Sequence, residues 1–299
     1  MKKLVMRTAP VLIALCVTLA TGCGSSVSEK TLQTATGTYE NSALLVSTSE
    51  LAAAIGTANQ VIIDVRSSAD YTAGHIRTAV NLPAGTFDKG GAGIDSKNLK
   101  SPEEIAVILG DAGISTSTKI IVYGKNVDSN AGRVFWLLEY LGASDVQMLD
   151  GGYDKWVSDV RETVTTATTV TTATFTPVPD SGKLAIKEEV LAHYADTVNY
   201  AILDSRNIAD YDAKHIPNAI NILTGDFLNA DNTVKSYADL KSFLNGKGIT
   251  AAKTVIAHCY VGYRSGQEYF ILRLMGFNVS NYDGSWTEWN DDPTLPTEP

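Results

Sequence analysis

The chain reads as α/β, with two tandem domains that are each a small parallel sheet carrying helices on both faces. Two observations predict this. Short apolar runs of strand length alternate with helical patterns, the order that produces a parallel sheet. That order also occurs twice: VIIDVRSSADYTAGHIRTAVNLPAGTF (61–87) aligns with AILDSRNIADYDAKHIPNAINILTGDF (201–227) at a constant offset of 140. A chain of 299 residues, 44% of them hydrophobic, can bury one large core or two of ordinary size. The duplication selects two.

Taken in order, the chain opens on Lys2, Lys3 and Arg7, followed by the apolar run APVLIALCVTLA. The run is too short to span a bilayer and has the positive flank and small-residue end of a secretory signal, predicted over 1–23. Ala20-Thr21-Gly22-Cys23 resembles a bacterial lipobox, with Ala20 where that motif usually carries Leu. The resemblance implies lipidation of Cys23, membrane attachment through that anchor, and an extracytoplasmic place in the cell envelope. Ordinary signal cleavage is the alternative. Residues 24–44 are small and polar without an apolar face and read as a flexible tether, with a reach of roughly 25 Å for about 20 residues.

The first domain is predicted over 45–160. VIIDV, KIIVYG and VQMLD have the composition of strands buried on both faces. SPEEIAVILGDAG opens on a Ser101-x-x-Glu104 capping box, and RVFWLLEYLG stops at Gly142. The Thr-rich stretch 161–183 reads as an interdomain linker running extended across the surface. The second domain follows over 184–292. There TVIAHC…QEYFILRLMG (254–276) parallels KIIVYG…RVFWLLEYLG (119–142), and YDGSWTEW (282–289) parallels LDGGYDKW (149–156). Asp64/Asp204, Arg66/Arg206, Tyr71/Tyr211, His75/His215 and Asn81/Asn221 are identical pairs.

Against this symmetry the stretch HCYVGYRSG (258–266) stands out. It joins a strand to a helix, where ligands gather in parallel sheets and main-chain N–H groups converge on anions. Cys16 leaves with the signal and Cys23 would carry lipid, so Cys259 has no partner for an internal disulfide. An unpaired thiol in an oxidising compartment is either reactive or a buried, inert gap-filler.

Jointly, the DVR and DSR strand ends, Gly74-His75-Ile76 and Lys214-His215-Ile216, DGG…W, DGSWTEW and the CxxGxRS loop resemble the tandem rhodanese-family sulfurtransferases. The resemblance covers nearly everything after the tether. It implies that Cys259 is the catalytic nucleophile, taking the outer sulfur of a donor such as thiosulfate as a persulfide and passing it to cyanide or a thiol. It further implies that Tyr260, Val261, Gly262 and Tyr263 form the loop around the sulfur, and that Arg264 and Arg206 bind the anion. For Arg206 a second reading stays open, because Arg66 holds the same place in the first copy and a shared structural Asp–Arg pair would explain both. The first copy has Gly124-Lys125 in place of the cysteine, within a loop one residue longer, and should be catalytically silent.

Two departures bear on the donor. Asp210 stands where thiosulfate enzymes of the family usually have a second arginine, and Tyr260 and Tyr263 match neither the basic loop of those enzymes nor the small-residue loop of 3-mercaptopyruvate enzymes. The rival chemistries are a cysteine phosphatase or arsenate reductase and a non-enzymatic binding module. The phosphatase loop needs five residues between Cys and Arg, whereas four intervene here. No cofactor or metal is expected: four histidines without a CxxC pair make zinc improbable, and His75 and His215 read as structural hydrogen-bonders. DKGGAGIDSK (88–97) lacks phosphate-loop spacing. Trp156, Trp286 and Trp289 read as core or cleft-wall aromatics. A formal net charge of -9 and a pI near 4.9 disfavour nucleic acid as a partner.

Overall fold

The computed structural model describes residues 37–90 and 99–299. The signal segment, Cys23, tether residues 24–36 and most of the glycine-rich excursion lie outside the described residues. In the first copy the order is β1 (Leu45–Val46), α1 (Thr48–Ala54), β2 (Gln60–Asp64), α2 (Ser68–Ala73), β3 (His75–Ile76), β4 (Ala79–Asn81), α3 (Pro102–Asp111), β5 (Lys119–Tyr123), α4 (Ser129–Tyr140), β6 (Asp145–Leu149), α5 (Gly152–Ser158) and β7 (Thr163–Val164). The second copy runs β8 (Leu184–Ala185), α6 (Lys187–His193), β9 (Tyr200–Asp204), α7 (Ile208–Ala213), β10 (Ile220–Asn221), α8 (Tyr237–Gly246), β11 (Thr254–His258), α9 (Tyr263–Leu274), β12 (Asn278–Tyr282) and α10 (Ser285–Asp291).

Each copy builds a five-stranded parallel sheet, in the order β1-β6-β5-β2-β4 and, equivalently, β8-β12-β11-β9-β10. Successive strand residues face opposite sides, so Ile62 joins a small core with Trp156 and Tyr71 while Ile63 joins a larger core shared by both copies. That shared core forms where α4 crosses α9, bringing Phe135 against Phe270 at 4.9 Å. Gly132 and Gly266 mark the crossing: a Cβ at Gly266 would come within 2.8 Å of the Arg133 nitrogen, and one at Gly132 would run into the Gln267 backbone. Glycine inside a helix costs about 1 kcal/mol against alanine. Here it permits backbone-to-backbone contact between the copies.

The predicted boundaries shift at three places. Residues 37–44 are not part of the tether, because buried Tyr39 donates its hydroxyl to the Lys235 carbonyl and the Asn41 amide donates to Leu274 O at 3.1 Å. The first domain extends past 160, since β7 pairs with β3 and Trp156 Nε1 donates to Glu162 O at 2.9 Å. The second extends past 292 in the same way: the His215 amide donates to Glu298 O at 2.8 Å and Trp289 Nε1 to Pro296 O at 3.0 Å. Both tails cover an indole and satisfy its N–H, as a buried tryptophan requires. The remainder of the Thr-rich stretch follows the first domain, where the Ala173 amide donates to Gly110 O at 2.8 Å and Phe175 is buried.

Candidate active site

β11 ends at His258 and α9 starts at Tyr263, so Cys259–Gly262 form the turn between them. Gly262 has φ +80°, the left-handed conformation that lets the chain curl back into the helix. Among the described residues the amides of Tyr260, Val261 and Gly262 have no acceptor. The base of the turn is tied down: Trp286 N donates to Cys259 O at 2.9 Å, Thr287 Oγ1 to Tyr260 O at 2.8 Å, and Asn281 Nδ2 to Gly262 O at 3.2 Å. Ser285 Oγ receives the Cys259 amide at 3.2 Å. Cys259 lies at the bottom, 2% exposed, with Ser265 Oγ directed at its sulfur from 3.7 Å.

The corresponding turn of the first copy shows what the geometry accommodates. A Cβ placed on Gly124 would lie 2.6 Å from both carboxylate oxygens of Asp128. That carboxylate therefore occupies the space into which a side chain at the cysteine position would project. Lys125 N and Ala131 N donate to it at 3.0 Å, joined by the amides of Asn126 and Asn130. Burial pushes the pKa of this carboxyl up, and the converging amides oppose the push. In the first copy the turn gathers main-chain amides in a cradle around a carboxylate, and in the second Cys259 stands at the start of the equivalent turn.

Arg206, for which substrate binding and a structural pair were both expected, sits in an ion pair at the end of β9. It is 1% exposed and forks onto Asp204 at 2.6 to 3.0 Å, with Nη2 also on Lys214 O at 2.8 Å. Arg66 makes the same fork onto Asp64 and donates to Gly74 O at 2.8 Å. Asn81 and Asn221 complete each lock by donating to the carbonyls on either side of the turn. The guanidinium is buried and engaged in the same way in both copies, as the shared Asp–Arg pair reading requires. Arg206 meets the loop at Tyr260, whose hydroxyl it contacts and whose ring lies 5.6 Å away, and it sits 4.1 Å from the Trp286 ring. His75 and His215 support the same element, each stacked on a tyrosine and bonded through Nδ1 to that tyrosine's carbonyl.

Arg264 opens the first turn of α9, and its Nη1 is buried without a hydrogen-bond partner. Tyr260, Val261 and Tyr263 are half-buried around the turn, and Tyr263 donates its hydroxyl to Asp88 of the first domain. Sequence reasoning missed the residue behind them. Arg133, from α4 of the first domain, pairs with Asp283 and lies 3.7 Å from Asp88. A Cβ on Gly262 would run into Asp283 and come within 2.7 Å of Arg133 Nη1. The first domain thus supplies one wall of the loop. Its local sequence shows only a helical arginine; the partner aspartate is 150 residues away.

A family model for the rhodanese-like domain matches residues 47–159 and again 187–292. The Sulfur carrier protein TtuD of Thermus thermophilus is 32% identical over 67% of this chain and 78% of its own length. A putative thiosulfate sulfurtransferase of Saccharopolyspora erythraea is 32% identical over 85% of this chain and 96% of its own. The thiosulfate sulfurtransferase of Pseudomonas aeruginosa is 27% identical over 85% and 97%. Among solved structures, the 3-mercaptopyruvate sulfurtransferase SseA of Escherichia coli superposes with a TM-score of 0.72 at 24% identity, covering 81% of this chain and 98% of that one. The anaerobic ergothioneine biosynthesis enzyme of Chlorobium limicola gives 0.77 at 24% identity, over 87% and 71%. These two likenesses concern the fold.

Proposed function

The chain belongs to the rhodanese-like family and carries that domain twice, and on this premise we propose that it is a sulfurtransferase working through a Cys259 persulfide. The supporting observation is the cradle, whose first-copy version holds a carboxylate where the second holds the cysteine. A site that gathers main-chain dipoles around an anion favours the thiolate over the thiol, and the terminal sulfur of a persulfide is likewise anionic. In the first step the thiolate attacks the outer sulfur of thiosulfate. A new S–S bond forms to Cys259, the donor's S–S bond breaks, and its electron pair leaves with sulfite. In the second step cyanide or a thiolate takes the outer sulfur, and Cys259 departs as the thiolate.

Arg264 is the cation we assign to the anionic donor, because among the described residues Nη1 has no hydrogen-bond partner. Thiosulfate is the donor favoured by the named relatives, and 3-mercaptopyruvate is the competing one. The test is thiocyanate formation from cyanide with each donor in turn. Wild type should turn over and Cys259→Ser should lose at least about 1,000-fold, the scale on which loss of a covalent nucleophile acts. Clear hydrolysis of an aryl phosphate with no sulfur transfer would replace this reading with the phosphatase one.

We also propose that Cys23 is lipidated and holds the enzyme on the outer face of a membrane in the cell envelope. Support comes from the basic start, the short apolar run and the Ala-Thr-Gly-Cys ending. Incorporation of labelled fatty acid into wild type and its absence in Cys23→Ala would bear this out; equal behaviour of the two would remove it.

A further inference from the structure

Beneath the cradle lies a group that the sulfur chemistry above does not use. Glu268 is on α9, one turn beyond Ser265, and is 0% exposed. Among the described residues neither carboxyl oxygen meets hydrogen-bond geometry with a partner, although the Ser205 hydroxyl lies beside the carboxyl. The titratable and charged groups facing it are Cys259 at the end of β11 and Asp204 at the end of β9, with the hydroxyl of Ser205 beside them. His258 and Arg206 adjoin Asp204 in the same cluster, His258 Nε2 lying 3.7 Å from the carboxylate. Ser205 Oγ donates to the His258 carbonyl at 3.0 Å. The Ser205 hydroxyl also reaches the Glu268 carboxyl, where it favours the charged form and works against the larger effect of burial.

The first copy provides an internal control. At the positions of Ser205, Ser265 and Glu268 it has Val65, Ala131 and Val134, all buried. Polar groups therefore line the underside of the cradle in the copy that has the thiol and are replaced by apolar ones in the copy that lacks it. A requirement of folding alone would have no reason to follow the cysteine in this way.

We propose that Glu268 is a positioning residue of the sulfur-transfer site that stays protonated while Cys259 is an anion, so that thiolate and persulfide each form as the single uncompensated negative charge of the buried cluster. This rests on the persulfide reading above. The local balance of charges supports it: Asp204 is already paired with Arg206, and among the described residues no cation faces Glu268. Burial, with Asp204 and Cys259 adding to it, pushes the carboxyl well above the usual carboxylate range. The conserved quantity is one proton, on Glu268, before and after the sulfur is loaded.

The test compares wild type with Glu268→Gln, which keeps the shape and fixes the neutral state, and needs no sulfur donor for its first readouts. A folded acid that stays protonated must retain a proton which the unfolded chain releases above about pH 4.3. Thermal unfolding should therefore find the two proteins equal at pH 4 and the glutamine variant increasingly the more stable as pH rises towards 8. The thiolate absorbance, taken as the difference from Cys259→Ser, should titrate with the same midpoint in both. The infrared C=O stretch of a protonated carboxyl, assigned by its loss in Glu268→Gln, should persist at a pH where the thiolate is formed. In turnover, wild type should decline on the alkaline side as Glu268 ionises, and Glu268→Gln should not. A variant less stable than wild type at pH 8, or a carboxylate band in place of the acid band at neutral pH, overturns the proposal without touching the persulfide. Absence of persulfide with the acid band intact would overturn the sulfurtransferase reading instead.

Discussion

Gly262 stands at φ +80° with Asp283 and Arg133 against the space a side chain would need, so two separate constraints meet on one residue. The left-handed conformation alone costs an L-residue roughly 1–2 kcal/mol, and overlap with a buried ion pair adds to it. Gly262→Ala should lower Tm and displace the loop, with activity reduced more than a comparable loss of stability elsewhere produces. Arg133 is 4% exposed and faces two aspartates. Truncating it leaves their charge uncompensated, which for buried pairs costs about 3–5 kcal/mol. Arg133→Met should therefore destabilise strongly, and adding Asp283→Asn should restore part of the loss; a double variant no more stable than the single one would contradict the pairing. Burial holds His258 neutral and its pKa below the ordinary value. The unfolded chain takes up a proton there as pH falls through about 6.5, so His258 subtracts stability below that pH and has no effect above it. His258→Tyr, which copies Tyr123 of the first domain, should narrow the Tm difference between pH 5 and pH 8. Cys259 and its loop were legible in the sequence as a strand-to-helix turn. For Arg206 the sequence left substrate binding and a structural Asp–Arg pair both open, because a DSR triplet shows a cation but not the Asp204 fork that engages it.

At the scale of elements, α4 and α9 set the site more than any loop does. Their crossing at Gly132 and Gly266 lets Arg133 reach across to Asp283, and the Glu139–Arg273 pair, at 3.0 Å, repeats the exchange two turns on. Widening the crossing should pull Arg133 off the loop. Gly132→Ala is expected to destabilise by about 1–3 kcal/mol, the usual penalty for overfilling a tight contact. It should also lower sulfur transfer, although residue 132 touches neither sulfur nor substrate. Unchanged activity at matched folding would show that the second domain positions its loop unaided. Apolar runs revealed β2, β5 and β6 because strands buried on both faces need continuous hydrophobic sequence. The two-residue strands β1, β8 and β10 were not readable, since a period cannot show itself over two residues. Nor could β7 be told from linker: Thr163–Val164 becomes a strand only because His75–Ile76 offers it a free edge.

Over the whole molecule, duplication divided the labour. Both copies keep the Asp–Arg–Asn lock and the covered tryptophan, which maintain the fold. One copy keeps the thiol, and the other fills its cradle with Asp128 and lends Arg133 to its neighbour. The 140-residue offset was visible in the sequence, but the assignment of walls was not, because it depends on how the two copies face each other. The net charge of -9 bears on kinetics as well. A dianionic donor approaching an acidic protein is repelled at long range, and salt screens that repulsion over about 10 Å at 0.1 M. The kcat/KM for thiosulfate should therefore rise between about 10 mM and 150 mM ionic strength. A fall would mean that Arg264 and the cradle dominate the approach field.

Intact-protein mass spectrometry after incubation with thiosulfate is the most direct test of the account. It predicts a gain of one sulfur atom, mapped to Cys259, lost on addition of cyanide and absent in Cys259→Ser. A wild-type protein that remains folded and gains no sulfur from either thiosulfate or 3-mercaptopyruvate, or that carries it at another residue, would contradict it.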